Sequence, residues 1–253
     1  MNTKFEYLLR LGDNCLILSQ QLSAWCGHGP ALEEDLALTN TALDLLGQAR
    51  LWLSYAGEVE ANGRGGGRDE DALAYHREAN EFRNLLIVEQ PNGHYGNTIA
   101  RQFLFDVWHQ QLLAGLCQSS DKRMADIAQK SVKEARYHVE RSAGLMVALG
   151  DGTALSHERM QSAINKLWPY AQEWFESDAV DDECVADGLC PSASSLADAW
   201  HTRVKAVLAR ATLTMPDYTG HQKGGKRGLH TEHLSHLLAP MQVLQRTHPG
   251  AQW

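Results

Sequence analysis

Long apolar runs are missing from this sequence. No stretch approaches the roughly 20 residues that would cross a bilayer, so membrane-spanning helices are excluded. Basic runs are missing too. Lys and Arg number 23 against 31 Asp and Glu, a formal net charge of −8, which argues against a nucleic-acid partner. Cysteine is sparse and unpatterned. The five residues, Cys15, Cys26, Cys117, Cys184 and Cys190, form no Cys-x-x-Cys, and they read as reduced thiols of a cytoplasmic protein. Met1–Phe5 lacks the apolar core of an export signal, which agrees with that expectation. The glycine-rich stretch Asn62–Arg68 has no Gly-Lys-Ser/Thr and follows no strand, so it is not a phosphate loop. Ser–His–Asp and Cys–His nucleophile arrangements have no local support.

Alternating strand patterns are also absent. Apolar residues recur instead at i, i+3, i+4 and i+7 along most of the chain, and this predicts an all-α protein. Its 253 residues suffice for one large domain with a real core. The first predicted helix covers 4–26, with Leu8, Leu11, Cys15, Leu18 and Leu22 on one face, and Gly27–Pro30 ends it. A second covers 32–55 behind an acidic first turn, Glu33-Glu34-Asp35, suited to the helix dipole. Further helices are predicted over 69–88, 98–117, 121–149, 156–175, 194–213 and 229–245. The expected organisation is a single domain over 1–253 with a flexible linker near 57–68 and a solvated acidic loop near 177–192. Most tryptophans (Trp25, Trp52, Trp108, Trp168, Trp174 and Trp200) read as core or interface anchors.

One stretch carries chemistry. Lys133-Glu134-Ala135-Arg136-Tyr137-His138 lies in the middle of the fifth predicted helix. Glu-x-x-His on paired helices is how di-metal carboxylate bundles hold their ions. Here the i+3 position is Tyr137, and the histidine has moved to i+4. Three other predicted helices carry a carboxylate near mid-length: Asp44, Glu81 and Asp106. At 1.5 Å per residue, Asp44 and Glu81 both fall roughly 18–20 Å from the glycine-rich turn, and Asp106 and Glu134 lie at a similar height above the turn near Ser120. Four carboxylates in one interior layer would need compensation, because each unpaired buried charge costs several kcal/mol or is forced to protonate.

Three compensations remain open. Iron or manganese ions suit such hard ligands, but Glu81-Phe82-Arg83-Asn84 puts an amide where an imidazole is usual, leaving His138 and His109 as substitutes. Arg77 and Lys130, one turn before Glu81 and Glu134, could neutralise the layer instead. The carboxylates could also face outward. Gly47, one turn after Asp44, would leave room in such a layer. Near the C-terminus His230, His233 and His236 recur beside Glu232. They do not make His-Glu-x-x-His, and they read as a helix edge that docks on a partner.

Taken in order, Leu9–Cys15, Leu43–Arg50, Val88–Gly93, Lys133–His138, Ile164–Trp168 and Gly224–Leu234 resemble the C subunit of the bacterial multicomponent phenylacetyl-CoA epoxidase. The segments span nearly the whole chain, although none is a strong motif alone. The resemblance implies a ferritin-like four-helix bundle with additional N- and C-terminal helices. It implies a non-catalytic subunit of a monooxygenase complex in aerobic phenylacetate breakdown, without an active site of its own. The partner would be a catalytic di-iron subunit, in a heterodimer repeated into a larger assembly, with NADPH electrons delivered by a reductase subunit. Asp44, Glu81, Asn84, Asp106, Glu134, Tyr137 and His138 would then be vestigial di-iron positions, and no cofactor would be held in this chain. His230, Glu232 and His233 would fall at the subunit interface. A long crossover near 87–97 would join the helix pairs. The reading that competes with it is a di-iron oxygenase or metal-binding bundle active on its own.

Overall fold

The computed structural model describes residues 2–64, 66–217 and 220–251. Nine α-helices occur among them and no strand. They are α1 (Thr3–Ser23), α2 (Leu32–Arg64), α3 (Glu70–Tyr75), α4 (Tyr95–Leu116), α5 (Lys122–Gly150), α6 (Ala154–Ala171), α7 (Ala179–Ala186), α8 (Ala197–Arg210) and α9 (Glu232–Thr247). No helix among the described residues is long and apolar enough to cross a membrane. The architecture is that of an all-α, ferritin-like helical protein, with two antiparallel pairs of long helices, α1–α2 and α4–α5. The chain divides into two compact units. One is Met1–Pro91 with Lys223–Trp253, and the other is Asn92–Gln222.

The first unit is built on α1, whose residues from Phe5 to Ser19 are all buried. The Asn2 side chain caps its N-terminus by accepting from Phe5 N, which satisfies one of the amides a helix start leaves open. α2 runs antiparallel to α1. At Gly12 the two helices come close, and a Cβ there would lie 2.6 Å from Leu53 Cδ2; Cys15 Sγ lies 3.9 Å from Gln48 Oε1. α2 does not stop near Tyr55 but continues to Arg64. The segment expected as a flexible linker is therefore helical over its first part. After Gly65, which lies outside the described residues, the chain is pinned back on α2. Gly67 crosses Gly57 so closely that a Cβ would sit 1.9 Å from the Gly57 carbonyl. Arg68 donates to Glu60 from its backbone N at 3.0 Å and from its guanidinium at 2.8 Å.

The helix predicted over 69–88 does not form. α3 has six residues, a 3-10 turn follows at Ala79–Glu81, and the chain from Phe82 to His94 lacks regular helix. The cause lies on α1. Asp13 Oδ2 accepts from Arg83 N at 2.8 Å, and Asn14 Oδ1 accepts from Leu85 N at 2.8 Å. Two amides that a helix would use internally are satisfied by distant side chains, so this segment meets its hydrogen-bonding needs without helix. α9 closes the unit, with Gln242 Nε2 donating to the carbonyls of Ala74 and Arg77 at 3.0 and 3.1 Å.

In the second unit, the turn 117–121 joins α4 to α5, and Asp121 caps α5 by accepting from Arg123 N and Met124 N. Every residue of α4 from Thr98 to His109 is buried. α6 and α8 pack on this pair through an aromatic nest. Trp168, Trp174 and Phe175 ring Trp200 at 5.4–5.5 Å between centroids, and Trp200 Nε1 donates to Leu104 O at 3.0 Å. The acidic stretch expected as a loop contains α7. Asp178 caps it by accepting from Val180 N and Asp181 N, and Asp181 returns the bond by accepting from Asp178 N. The sequence pattern Asp-x-x-Asp is a capping box here rather than a solvated run. No disulfide joins any of the five cysteines.

Candidate functional site

In the first unit, Asp44 is half-exposed on α2, and Gly47, expected to make room beside it in the interior, is exposed. Glu81 lies on no helix bearing an inward face. It is exposed, and its carboxylate accepts from Glu78 N at 2.7 Å, capping a 3-10 turn. Asn84 is fully buried, and its amide donates to Glu89 Oε2 at 2.9 Å. Arg77, considered above as the compensator of Glu81, is spent instead on Asp13. The pair is buried, with a guanidinium N donating to each carboxylate oxygen, and Arg77 also donates to the Glu81 carbonyl at 3.0 Å.

The sequence reading missed the centre of this network, Glu89. Its carboxylate is fully buried and takes four donors. Oε1 accepts from Thr231 N at 2.6 Å and Thr231 Oγ at 2.8 Å, and Oε2 accepts from Asn84 at 2.9 Å and His230 Nδ1 at 2.8 Å. His230 Nε2 lies 3.0 Å from the Phe82 carbonyl. Both ring nitrogens thus face oxygens that only accept, so both carry protons and the ring is an imidazolium. Burial works against that charge, but the hydrogen bond and charge of Glu89, the Phe82 carbonyl and Asp13 outweigh it and hold His230 above its ordinary value. His230, expected at a partner interface, is instead consumed inside its own unit. Glu232 is exposed on the first turn of α9 and His233 is half-buried. The available signal for Glu89 was a carboxylate embedded in the apolar run Leu85-Leu86-Ile87-Val88.

In the second unit, Asp106 on α4 and His138 on α5 are both buried. Gln102 Nε2 donates to Asp106 Oδ1 at 2.6 Å, while Oδ2 has no hydrogen-bond partner among the described residues. Burial pushes the Asp106 carboxyl up to about 6, against the opposing pull of His138, the Ser142 hydroxyl, Gln102 and Arg141. His109 is buried, its ring tilted against Phe105 at 5.0 Å between centroids and stacked on Trp108 at 6.3 Å. Burial, and after it the positive field of His138, depress it to about 3, so it is a neutral imidazole. Glu134 is only half-buried, and Tyr137 is 56% exposed, turned away from the interior. Helical phase explains the split: i+4 follows the buried stripe of α5, and i+3 leaves it.

These residues do not fit a di-metal centre. Such a centre needs a carboxylate from each of four helices and two imidazoles. The second unit brings together one carboxylate, Asp106, and one imidazole, His138. In the first unit Glu81 and Asn84 are committed to a turn and to Glu89. Among the described residues, no three His, Cys, Asp or Glu side chains form a group that could hold a metal ion.

Comparison with known proteins agrees with the resemblance. The family model described as "Phenylacetic acid catabolic protein" matches residues 1–253. The chain belongs to that family. A relative from Escherichia coli (strain K12), the C subunit of 1,2-phenylacetyl-CoA epoxidase, is 51% identical over 253 residues, covering 100% of both chains. The chain is thus a homologue of an epoxidase subunit of phenylacetate catabolism.

Proposed function

We propose that this chain is the structural, non-catalytic subunit of a phenylacetyl-CoA epoxidase, pairing with a di-iron catalytic subunit in the cytoplasm. The observation that carries the reading is the fate of the donor set. Asn84 holds Glu89, Glu81 caps a turn, Tyr137 faces out, and Asp106 is a carboxyl whose ionisation burial opposes. Asn84 and Glu81 are employed in holding their own unit together, Tyr137 is turned away from the interior, and Asp106 stays buried with an oxygen that has no partner among the described residues. The name of the 51% identical relative supports the rest, since that protein is one subunit of a multi-subunit epoxidase. The iron, and the electrons that a reductase subunit draws from NADPH, belong to the partners, and the heterodimer repeats into a larger assembly. The chain's role is to cover an apolar face of the catalytic subunit and hold its helices in ligand-ready geometry.

Co-purification with the catalytic subunit, with iron counted per subunit, tests this. The expected result is a stable complex whose iron follows the partner, and unchanged turnover in a complex reconstituted with Glu134→Ala or Asp106→Asn. Near-stoichiometric iron on this chain alone, removed by Glu134→Ala, would sink the proposal in favour of an independent di-iron oxygenase.

A further inference from the structure

α2 has two apolar faces. One is buried and includes Leu38, Ala42, Leu45, Ala49, Trp52 and Leu53. The other is open to solvent: Leu32, Leu36, Leu43 and Leu46 are between 40% and 71% exposed. At 3.6 residues per turn these four side chains fall within about a quarter of the helix circumference and run for roughly 20 Å along it. Gly47 lies beside them with nothing within 4 Å of where its Cβ would be, so another backbone can come close there. One margin of this stripe carries two carboxylates, Glu33 and Asp44, three helical turns apart.

Resting on the pairing proposed above, we infer that this outer leucine stripe of α2 is the face on which the catalytic subunit docks, through a helix bearing an apolar face with a Lys- or Arg-rich margin. An exposed leucine row of this length suits the dry centre of a standard interface, which covers about 800 Å² per partner. The acidic margin selects the occupant. A second copy packed antiparallel on the same stripe would set acidic margin against acidic margin, and the net charge of −8 adds to that repulsion. A basic helix from a different chain meets attraction instead, which steers its approach.

The test uses the full chain and its catalytic partner. Leu36→Gln with Leu43→Gln removes two central anchors without touching the buried face. It is expected to weaken the complex about 100-fold, leaving circular dichroism and Tm of the free chain unchanged, while Leu155→Gln, on another exposed leucine, leaves the Kd where it was. Glu33→Lys with Asp44→Lys reverses the margin, and is expected to slow association and to abolish its acceleration at low salt. If Leu36→Gln/Leu43→Gln and Glu33→Lys/Asp44→Lys both pair like the wild type, docking lies elsewhere and the stripe assignment falls, with the pairing intact. If the wild type fails to pair, the proposed function falls. If the wild-type chain sediments as a dimer that Leu36→Gln/Leu43→Gln dissociates, a second copy is the occupant and the inference is overturned.

Discussion

The two units handle buried ionisable groups in opposite ways. The first keeps its charges and surrounds them. Glu89 takes four donors, and Asp13 takes the Arg77 guanidinium and an amide. In the second, burial works against the charges of Asp106 and His109. Burial lifts Asp106 towards the protonated form, with one of its oxygens left without a partner among the described residues, and holds His109 neutral against aromatic rings. A buried charge is tolerated when its partners are complete and suppressed when they are not. By that criterion the buried carboxylates of the first unit sit in a framework of donors, and Asp106 of the second is only partly compensated.

Removing one partner from that framework should have the largest effect. Arg77→Met leaves Asp13 buried without its counter-ion, and should cost about 3–5 kcal/mol, read as a fall in the urea midpoint. An unchanged midpoint would show that the framework is not structural. Next comes His230. Its folded value lies above the unfolded value of about 6.5, so the folded state holds the proton more tightly. Its stabilisation is full below about pH 6.5 and fades as pH rises through the folded value. Wild-type stability, followed from pH 6 to 9, should therefore fall in a step that His230→Gln removes, the variant being about 1–2 kcal/mol weaker at pH 6.

In the second unit the same measurement should give the reverse outcome. Asp106 also has a raised value, about 6, so its contribution is full below the unfolded value of about 3.9 and is lost as pH climbs from there through 6. Above that pH the wild type carries a poorly compensated buried carboxylate. Asp106→Asn should then be more stable than wild type at pH 7.5 by on the order of 1–2 kcal/mol, the gap narrowing as pH falls below 6 and closing only below the unfolded value of about 3.9. A destabilised variant at pH 7.5 would mean that the carboxylate is well compensated after all. The smallest effect belongs to Glu81→Gln, an exposed cap in the first unit. It should shift stability by less than about 0.5 kcal/mol, since its role is to accept one amide.

The four long helices were legible in the sequence because burial imposes a periodicity on apolar spacing. The helix expected over 69–88 was not, because what forbids it lies elsewhere in the chain. Asp13, 70 residues before Arg83, takes the amide that helix would need. α7 was legible in principle, as Asp178-x-x-Asp181, but its charge density was read as solvation. At the candidate site, Asp106 and His138 are interior because they follow the apolar stripes of α4 and α5, whereas the sequence left open whether the carboxylates face inward or outward. Glu81 failed with its helix. Glu89 escaped because its donors lie near the C-terminus, and nothing local announces them.

That last separation has a consequence in time. His230 stands 141 residues after the carboxylate it serves. A ribosome adding about 5–20 residues per second needs on the order of ten seconds to supply it. Until then Glu89 has neither His230 nor Thr231, and by the end of that interval the whole of Asn92–Gln222 has been made. The unit that begins the chain is therefore the last to be completed. Stalled chains ending at Gln222 should resist protease in the later-made unit and be cut in the earlier one.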